Sequence, residues 1–226
     1  MITAQLATYP ARLEILPITI ESLLPQVDRL NVMLNGYGHN FVPACCKHVK
    51  INIEFLDNTM TDAAKFYGIE KLKGYIFTCD DDILYPPDYV QKSIAKIEEY
   101  KRQYVITYHG RVFSTLPIYS FYRDRAEMFR AIEGFEGDHF VDCAGDGVSV
   151  WHSDTLKMRY DYCELPNMSQ LWFALACNKA GVKQIAISHE EGWLKDTCLD
   201  QEETIWYKHN QYDQAQTDLV NLRFKK

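Results

Sequence analysis

The sequence predicts an α/β fold with a mostly parallel, doubly wound central sheet and helices on both faces. Short runs rich in β-branched and aromatic residues alternate with helical patterns from the first residues onward. Polar or turn residues follow several of these runs, as at Asn35-Gly36 and Asp57-Asn58. The run Tyr-Ile-Phe at 75–77 is apolar throughout, which is typical of a strand buried on both faces.

Each predicted element has its own local pattern. The strand-like runs are 2–7, 28–34, 51–56, 75–77, 104–108, 140–151 and 183–188. The helical patterns are an apolar stripe over 13–24, a short helix carrying Asp62, Lys65 and Phe66, a helix over 88–100, and a helix that starts near Asn167. Ser169 is the predicted N-cap of this last helix, and Gly181 is its predicted stop. Residues 114–137 show no clean period and predict a mobile or acceptor-facing loop.

Composition and charge narrow the function classes. With 226 residues, 47% hydrophobic and 24% charged, the chain is expected to form one compact domain. The net charge of −7 argues against a general nucleic-acid binder. No apolar run approaches the length of a membrane span, and no signal-peptide pattern stands at the start. Seven cysteines without a CxxC spacing favour reduced thiols and a cytoplasmic location.

Three consecutive aspartates, Asp80, Asp81 and Asp82, follow the apolar run at 75–77. Ligands of open α/β sheets bind outside the carboxyl ends of the strands, which is where these residues are expected. Adjacent carboxylates repel one another, so a buried cluster needs a cation, and oxygen ligands suit Mg²⁺ or Mn²⁺. Such an ion is usually shared with nucleotide phosphates. The alternative is a solvated acidic turn that caps a helix.

The ends of the other early strands also carry polar residues, so the sequence predicts a crevice that can hold a nucleotide. Arg12 could pair with a phosphate, Asp62 could accept a hydrogen bond from a base, and Lys65 could neutralise a diphosphate. Each is alternatively an ordinary surface charge. The sequence contains neither GxGxxG nor GxxxxGK[ST], which disfavours a Rossmann dinucleotide site and a P-loop. His189 is a candidate metal or phosphate contact or a structural histidine.

Several stretches together resemble family-2 glycosyltransferases of the GT-A fold, which use nucleotide-sugar donors and a DxD metal motif. The stretches are TYPAR…LNGY (8–37), DAAKF (62–66), DDDILYPPDYV (80–90), HG (109–110), GDGVSVW (145–151), LWFALACNKAGV (171–182) and GWLKD (192–196). Within that family the chain is most similar to the small bacterial capsule enzymes of the heparosan N-acetylglucosaminyltransferase type. The likeness covers most of residues 4–196.

The resemblance implies a role for each matching residue. The residues implied in donor binding are Thr8, Tyr9, Arg12, Asn35, Asp62, Lys65, Asp80, Asp81, Gly145 and Gly147. Asp80 and Asp81 would face the ribose and diphosphate, and the two glycines would lie beside the donor sugar. Asp82 would hold Mn²⁺ or Mg²⁺, with His189 nearby. The aromatic segment 113–122 could stack on acceptor sugar rings or simply pack in the core.

The implied activity is transfer of a hexose, with N-acetylglucosamine as the best guess, from a UDP-sugar to a saccharide acceptor in surface polysaccharide synthesis. A partner glycosyltransferase and a peripheral position at the inner membrane face are further expectations. The implied domain division is a catalytic domain over 1–196, with a donor half to about 110 and an acceptor half from 111. Residues 197–226 would form a polar, aromatic tail or helix packed on it.

One position departs from the family pattern. Inverting enzymes of this type need a carboxylate that takes the proton of the acceptor hydroxyl. The family places an aspartate before the LWF-like triplet, where this chain has Gln170, and an amide cannot act as that base. Three explanations are open: an engineered inactive form, a substitute acid such as Glu164 or Asp146, or a weak or retaining relative. Two other functions also stay open.

The first of these is a sugar nucleotidyltransferase, although TYPAR lacks the Gly-rich loop that would hold a triphosphate. The second is a catalytically inactive UDP-sugar-binding subunit of a polysaccharide synthase. Gln170 is the residue that favours this second function.

Overall fold

The computed structural model describes residues 1–38, 41–197, 207 and 210–224. The strands are β1 (Ile2–Thr8), β2 (Arg29–Asn35), β3 (Ile51–Leu56), β4 (Tyr75–Cys79), β5 (Ile83–Leu84), β6 (Val105–Thr107), β7 (Gly110–Phe113), β8 (Arg125–Phe129), β9 (His139–Val141), β10 (Cys143–Ala144), β11 (Val148–His152), β12 (Gln184–Ala186) and β13 (Lys195–Asp196). The α-helices are α1 (Leu16–Leu23), α2 (Tyr89–Glu99), α3 (Ser169–Ala180) and α4 (Gln214–Arg223). None of the helices in these ranges is long and apolar enough to cross a membrane.

The largest sheet has the strand order β3-β2-β1-β4-β11-β6-β12-β9. Strands β1, β2, β3 and β4 are mutually parallel, and so are β6 and β12. Strand β11 lies between β4 and β6 and runs antiparallel to both. The sheet is therefore mixed but mostly parallel, and its arrangement is of the GT-A type. This confirms the fold class that the alternating pattern predicts.

Apolar side chains on the two faces of this sheet form two cores. On one face, α1 and α2 pack against strand residues such as Phe77 and Val150. On the other face, α3 and α4 pack against residues such as Ile76 and Trp151. Neighbouring strand residues point to opposite faces, so each central strand contributes to both cores. This explains why the run at 75–77 is apolar throughout.

Three local predictions are wrong. The predicted strand over 140–151 is divided into β9, β10 and β11, because a bend at Asp142 and a turn at 145–147 interrupt it. The predicted loop at 114–137 contains β8, which pairs antiparallel with β7. Ser169 is the first helical residue of α3 and not its cap, because Met168 takes the capping position. Gly181 does end this helix, with a left-handed φ of 68°.

The C-terminal helix α4 lies on the core of the α3 face, and Leu219, Val220 and Phe224 are part of that core. The predicted tail residues from Cys198 to Trp206 lie outside the described ranges. The six cysteines in the described ranges are free thiols.

We expect Leu219→Ala to lower the free energy of unfolding by about 2 kcal/mol, because it removes buried methyl groups and leaves a cavity. Leu222 on the same helix is 70% exposed and is the matched control, with an expected change within about 0.5 kcal/mol for Leu222→Ala. Urea denaturation of both variants measures the difference. Equal losses would mean that α4 does not pack on the domain as described.

Candidate functional site

The polar residues of the predicted crevice meet at the edge of the sheet where β1, β2 and β4 end. Strand β11 runs antiparallel to β4, so the turn at 145–147, which precedes β11, reaches the same edge. The backbone N–H of Asp80 donates to the carbonyl oxygen of Gly147 at 3.0 Å. The aspartate cluster and this turn therefore form one continuous surface.

Arg12 is the cation closest to the second and third aspartates. Its Nε lies 3.9 Å from Asp81 Oδ1, and its Nη2 lies 3.4 Å from Asp82 Oδ2. The pKa of Asp82 is raised to about 7, first by burial and then by repulsion from Asp80 and Asp81, while Arg12 opposes the rise. Burial also raises the pKa of Asp81 to about 6. Arg12 therefore balances the charges of Asp81 and Asp82 only in part, which is typical of a cation site.

Lys65 connects the aspartate cluster to the turn before β11. Its ammonium group contacts Asp80 and lies 3.4 Å from Asp146 Oδ2. Burial alone would lower the pKa of this lysine, but Asp146, Asp80 and Asp62 outweigh burial and raise it. Lys65 therefore stays charged in the folded protein. Burial raises the pKa of Asp146 to about 6, although Lys65 opposes the rise.

Neighbouring side chains leave no room for a Cβ at the two glycines of the turn. A Cβ at Gly147 would overlap the carboxylate of Asp80, and one at Gly145 would come within 2.8 Å of the His109 side chain. Both glycines border a cavity of about 300 Å³ together with Asp80 and Asp82. Burial lowers the pKa of His109 to about 4, so this histidine is neutral at physiological pH.

Asp62 connects the side of the site that carries the aspartate cluster to the start of α3. Its carboxylate accepts hydrogen bonds from the backbone N–H of Asn167 at 3.0 Å and of Ser169 at 3.1 Å, and from the Ser169 hydroxyl. Asp62 borders the cavity described below, but these contacts occupy most of its acceptor capacity. Gln170 follows in the first turn of α3, and its buried Nε2 has no hydrogen-bond partner.

A larger cavity of about 940 Å³ opens beside this surface. Asp80, Lys65, Asp146 and Gln170 lie on one side of it. The cavity is also lined by four arginines that sequence reasoning missed: Arg111, Arg123, Arg125 and Arg130. Arg123, Arg125 and Arg130 fall in the segment 114–137, which has no clear period, and only their density along the chain could have indicated them.

Several predicted donor residues lie at the strand ends but do not line this cavity. Thr8 ends β1 beside Asp81, and the Tyr9 carbonyl accepts a hydrogen bond from the Tyr37 hydroxyl at 3.1 Å. Asn35 is buried at the end of β2, where its Nδ2 donates to the Thr61 carbonyl at 2.9 Å. They lie around the aspartate cluster on the side of α1 and β2.

Two predicted residues are placed away from the aspartate cluster. Both ring nitrogens of His189 lie within hydrogen-bond distance of backbone carbonyls, of Ile187 at 3.0 Å and of Ala131 at 2.7 Å. His189 borders a different cavity from the one that Asp82 borders, and its role as a metal ligand stays a prediction. Glu164 is exposed and lies 3.8 Å from Arg223, on a different surface. Of the two acids predicted as substitute bases, Asp146 is the one that borders the cavity.

The cluster fits a divalent cation only in part. Within the described ranges, no three His, Cys, Asp or Glu side chains converge to form a complete metal cage. However, Asp81 Oδ2 is buried without a hydrogen-bond partner, and Arg12 balances the negative charge of Asp82 only in part. Mg²⁺ and ions like it are often held by one or two carboxylates together with substrate phosphates and water. The donor set suits an ion that arrives with a nucleotide.

Comparisons with known proteins leave the family open. No protein-family model and no curated protein matches the chain. Among solved structures, the chain is similar to a nucleotidyl transferase from Methanothermobacter thermautotroptrophicus, with 14% identity and a TM-score of 0.49. The match covers 83% of this chain and 86% of the other. The functional conclusions below therefore rest on the residues of this chain.

Proposed function

We propose that this protein is a metal-dependent glycosyltransferase that moves a hexose, with N-acetylglucosamine as the best guess, from a UDP-sugar to a saccharide acceptor. The main support is the position of Lys65. It lies between Asp80 in the aspartate cluster and Asp146 at the same cavity. A diphosphate bound at the aspartates would bring its sugar to the side where Asp146 lies. We place the activity in the cytoplasm, in surface polysaccharide synthesis.

In the proposed reaction, the acceptor hydroxyl oxygen forms a bond to the anomeric carbon while the bond from that carbon to the diphosphate breaks. Asp146 takes the hydroxyl proton, because a carboxylate with a pKa of about 6 is ionised at neutral pH and retains useful proton affinity. Lys65 and Arg12 hold positive charge near the leaving diphosphate. Mn²⁺ or Mg²⁺ held by Asp82 would supply Lewis-acid stabilisation of that group.

Two other functions each have one supporting observation. A sugar nucleotidyltransferase would use the four cavity arginines to bind the phosphate of a sugar phosphate. An inactive UDP-sugar-binding subunit is supported by Gln170, whose amide borders the cavity at the position where the resembling family has its base.

Calorimetric titration of the full chain with UDP and a series of UDP-sugars, in Mn²⁺ and then in EDTA, tests the proposal. We expect binding that EDTA abolishes, because the aspartates and the diphosphate are both negatively charged and repel each other without a cation between them. The strength of binding across the series identifies the donor sugar. Chromatography of the products then distinguishes the functions: release of UDP indicates glycosyl transfer, and release of pyrophosphate from UTP and a sugar phosphate indicates nucleotidyl transfer. No binding of any UDP compound would overturn the proposal.

A further inference from the structure

We propose that the C-terminal helix α4 is part of the site that binds the second substrate, an inference that rests on the transferase function proposed above. Asp213, Thr217 and Asn221 act as positioning residues. They hold the segment 118–122, which contributes to a wall of the 940 Å³ cavity. The domain division that the resemblance implies ends the catalytic domain at residue 196 and therefore leaves α4 outside this site.

The three positioning residues share one side of α4. They are four residues apart, and residues at that spacing lie one above the other on a helix. Thr217 and Asn221 lie within α4, and Asp213 stands immediately before it. Thr217 is 2% exposed and Asp213 is 9% exposed, so the domain covers much of this side of the helix.

Two of these side chains bind the start and the middle of the segment. Asn221 pairs with both backbone groups of Ile118: its Oδ1 accepts from the N–H at 2.8 Å, and its Nδ2 donates to the carbonyl at 2.8 Å. The Thr217 hydroxyl accepts from the backbone N–H of Phe121 at 3.0 Å. Side chains of α4 therefore supply the hydrogen-bond partners that a neighbouring strand would supply in a sheet.

Asp213 binds the end of the segment. Its Oδ2 accepts from the backbone N–H of Tyr122 at 2.9 Å and from the Ser120 hydroxyl at 2.6 Å. The Ser120 hydroxyl in turn accepts from the backbone N–H of Arg123 at 3.2 Å. An acceptor lost from α4 would leave a backbone N–H group of the segment without its partner, which is costly for a buried group. The conformation of residues 118–122 therefore depends on α4.

The segment connects α4 to the cavity. Phe121 and Tyr122 both border the cavity, as does Arg111. The Phe121 carbonyl accepts from Arg111 Nη1 at 2.7 Å, and the Arg111 guanidinium lies 3.9 Å from the centre of the Phe121 ring. Gln216 of α4 is 3% exposed and borders the cavity directly. A displaced segment would therefore change the shape of the cavity on this side.

Other contacts hold the aspartate cluster in place. Arg12 pairs with Asp82, Lys65 pairs with Asp80, and the turn before β11 bonds to the backbone of the cluster. A change in α4 should therefore weaken binding of the second substrate and leave donor binding as it is. This selectivity distinguishes a positioning role from a general loss of stability.

Kinetics of the full chain test the proposal, with methyl hexosides as acceptors and the UDP-sugar that calorimetry selects as donor. Valine has a shape similar to threonine but cannot accept the Phe121 N–H, so Thr217→Val should raise KM for the methyl hexoside about 5 to 10-fold. Thr217→Ser keeps the hydroxyl and should retain the original KM within about twofold. UDP affinity should be the same in both variants. Hydrogen exchange in the peptide 118–122 should be faster in Thr217→Val alone.

Asn221→Ala is the second variant, and Asp218→Asn on the same helix is the matched control. Both side chains are exposed, so both variants should fold even if Thr217→Val does not. Asn221→Ala removes the two bonds to Ile118 and should raise the same KM. Asp218 accepts from Gln214 of its own helix at 2.7 Å, and its substitution should leave KM unchanged.

Faster exchange in residues 118–122 without a change in KM would overturn the positioning role of α4, and so would an equal rise in KM for the methyl hexoside and for the UDP-sugar. A chain that binds no UDP, or that transfers to no methyl hexoside, would instead overturn the proposed glycosyltransferase function.

Discussion

Asp82→Asn is expected to lower kcat/KM about 1,000-fold, which corresponds to about 4 kcal/mol of transition-state stabilisation. The substitution keeps the shape of the side chain but removes the negative charge that would hold the metal. Arg12 keeps Asp81 as a partner, so the fold should stay intact. Steady-state kinetics at several Mn²⁺ concentrations measure the loss, and thermal unfolding checks the fold.

The matched control for this substitution is Asp154→Asn. Asp154 lies on an exposed turn after β11, where it pairs with His152 at 3.3 Å, and it does not border the cavity. Its kinetics should equal those of the unmodified chain. If Asp82→Asn had the same small effect as the control, the metal role of Asp82 would be wrong. Direct Mn²⁺ titration in the presence of UDP would then show whether another residue holds the ion.

Asp146→Asn is expected to reduce kcat by about 100 to 10,000-fold, the range over which a positioned general base contributes. The amide keeps the volume of the side chain but cannot take the acceptor proton. UDP affinity should change much less, because the aspartate cluster and Arg12 stay in place. Measuring kcat and donor affinity separately distinguishes a lost base from a lost binding residue. Glu164→Gln is the control, since that exposed carboxylate lies on another surface.

The pH profile provides a second readout for Asp146. Its folded-state pKa of about 6 lies above the ordinary value of 3.8 because of burial. A base works only when it is deprotonated, so the rate should fall as the pH drops through about 6 and level off above it. At saturating Mn²⁺, which keeps the metal-holding carboxylate of Asp82 ionised, Asp146→Asn should remove this dependence from the residual rate. A profile that stays the same in the variant would assign the proton transfer to a different group.

Much of the fold follows from local patterns in the sequence. The predicted strand over 51–56 has the observed bounds. The run at 75–77 lies in β4, because a strand buried on both faces leaves a continuous apolar signal. The sequence-based prediction is less accurate after residue 100. Strand β8 has the sequence RAEMF, in which polar residues face the cavity and solvent, so it gives no apolar alternation.

The site could be predicted where residues follow one another along the chain. The aspartate cluster is visible in the sequence, as are the glycines at 145 and 147. The contact of Lys65 with Asp146 could not be deduced, because it depends on the direction in which β11 enters the sheet. The burial of Arg111 likewise depends on the packing of Phe121 and of β7, which no local pattern specifies.

The antiparallel insertion of β11 also determines when this site can exist during synthesis. The ribosome releases the chain from its N-terminus, so β1 to β4 and the aspartates emerge long before residues 145–152. Until those residues arrive, β4 has an open edge, and Asp80 and Lys65 lack their partners from the turn. A nascent chain that ends before β11 therefore has the acidic cluster without its surroundings. The proposed donor binding would begin only after residues 145–152 have been synthesised, when the central strand closes the sheet.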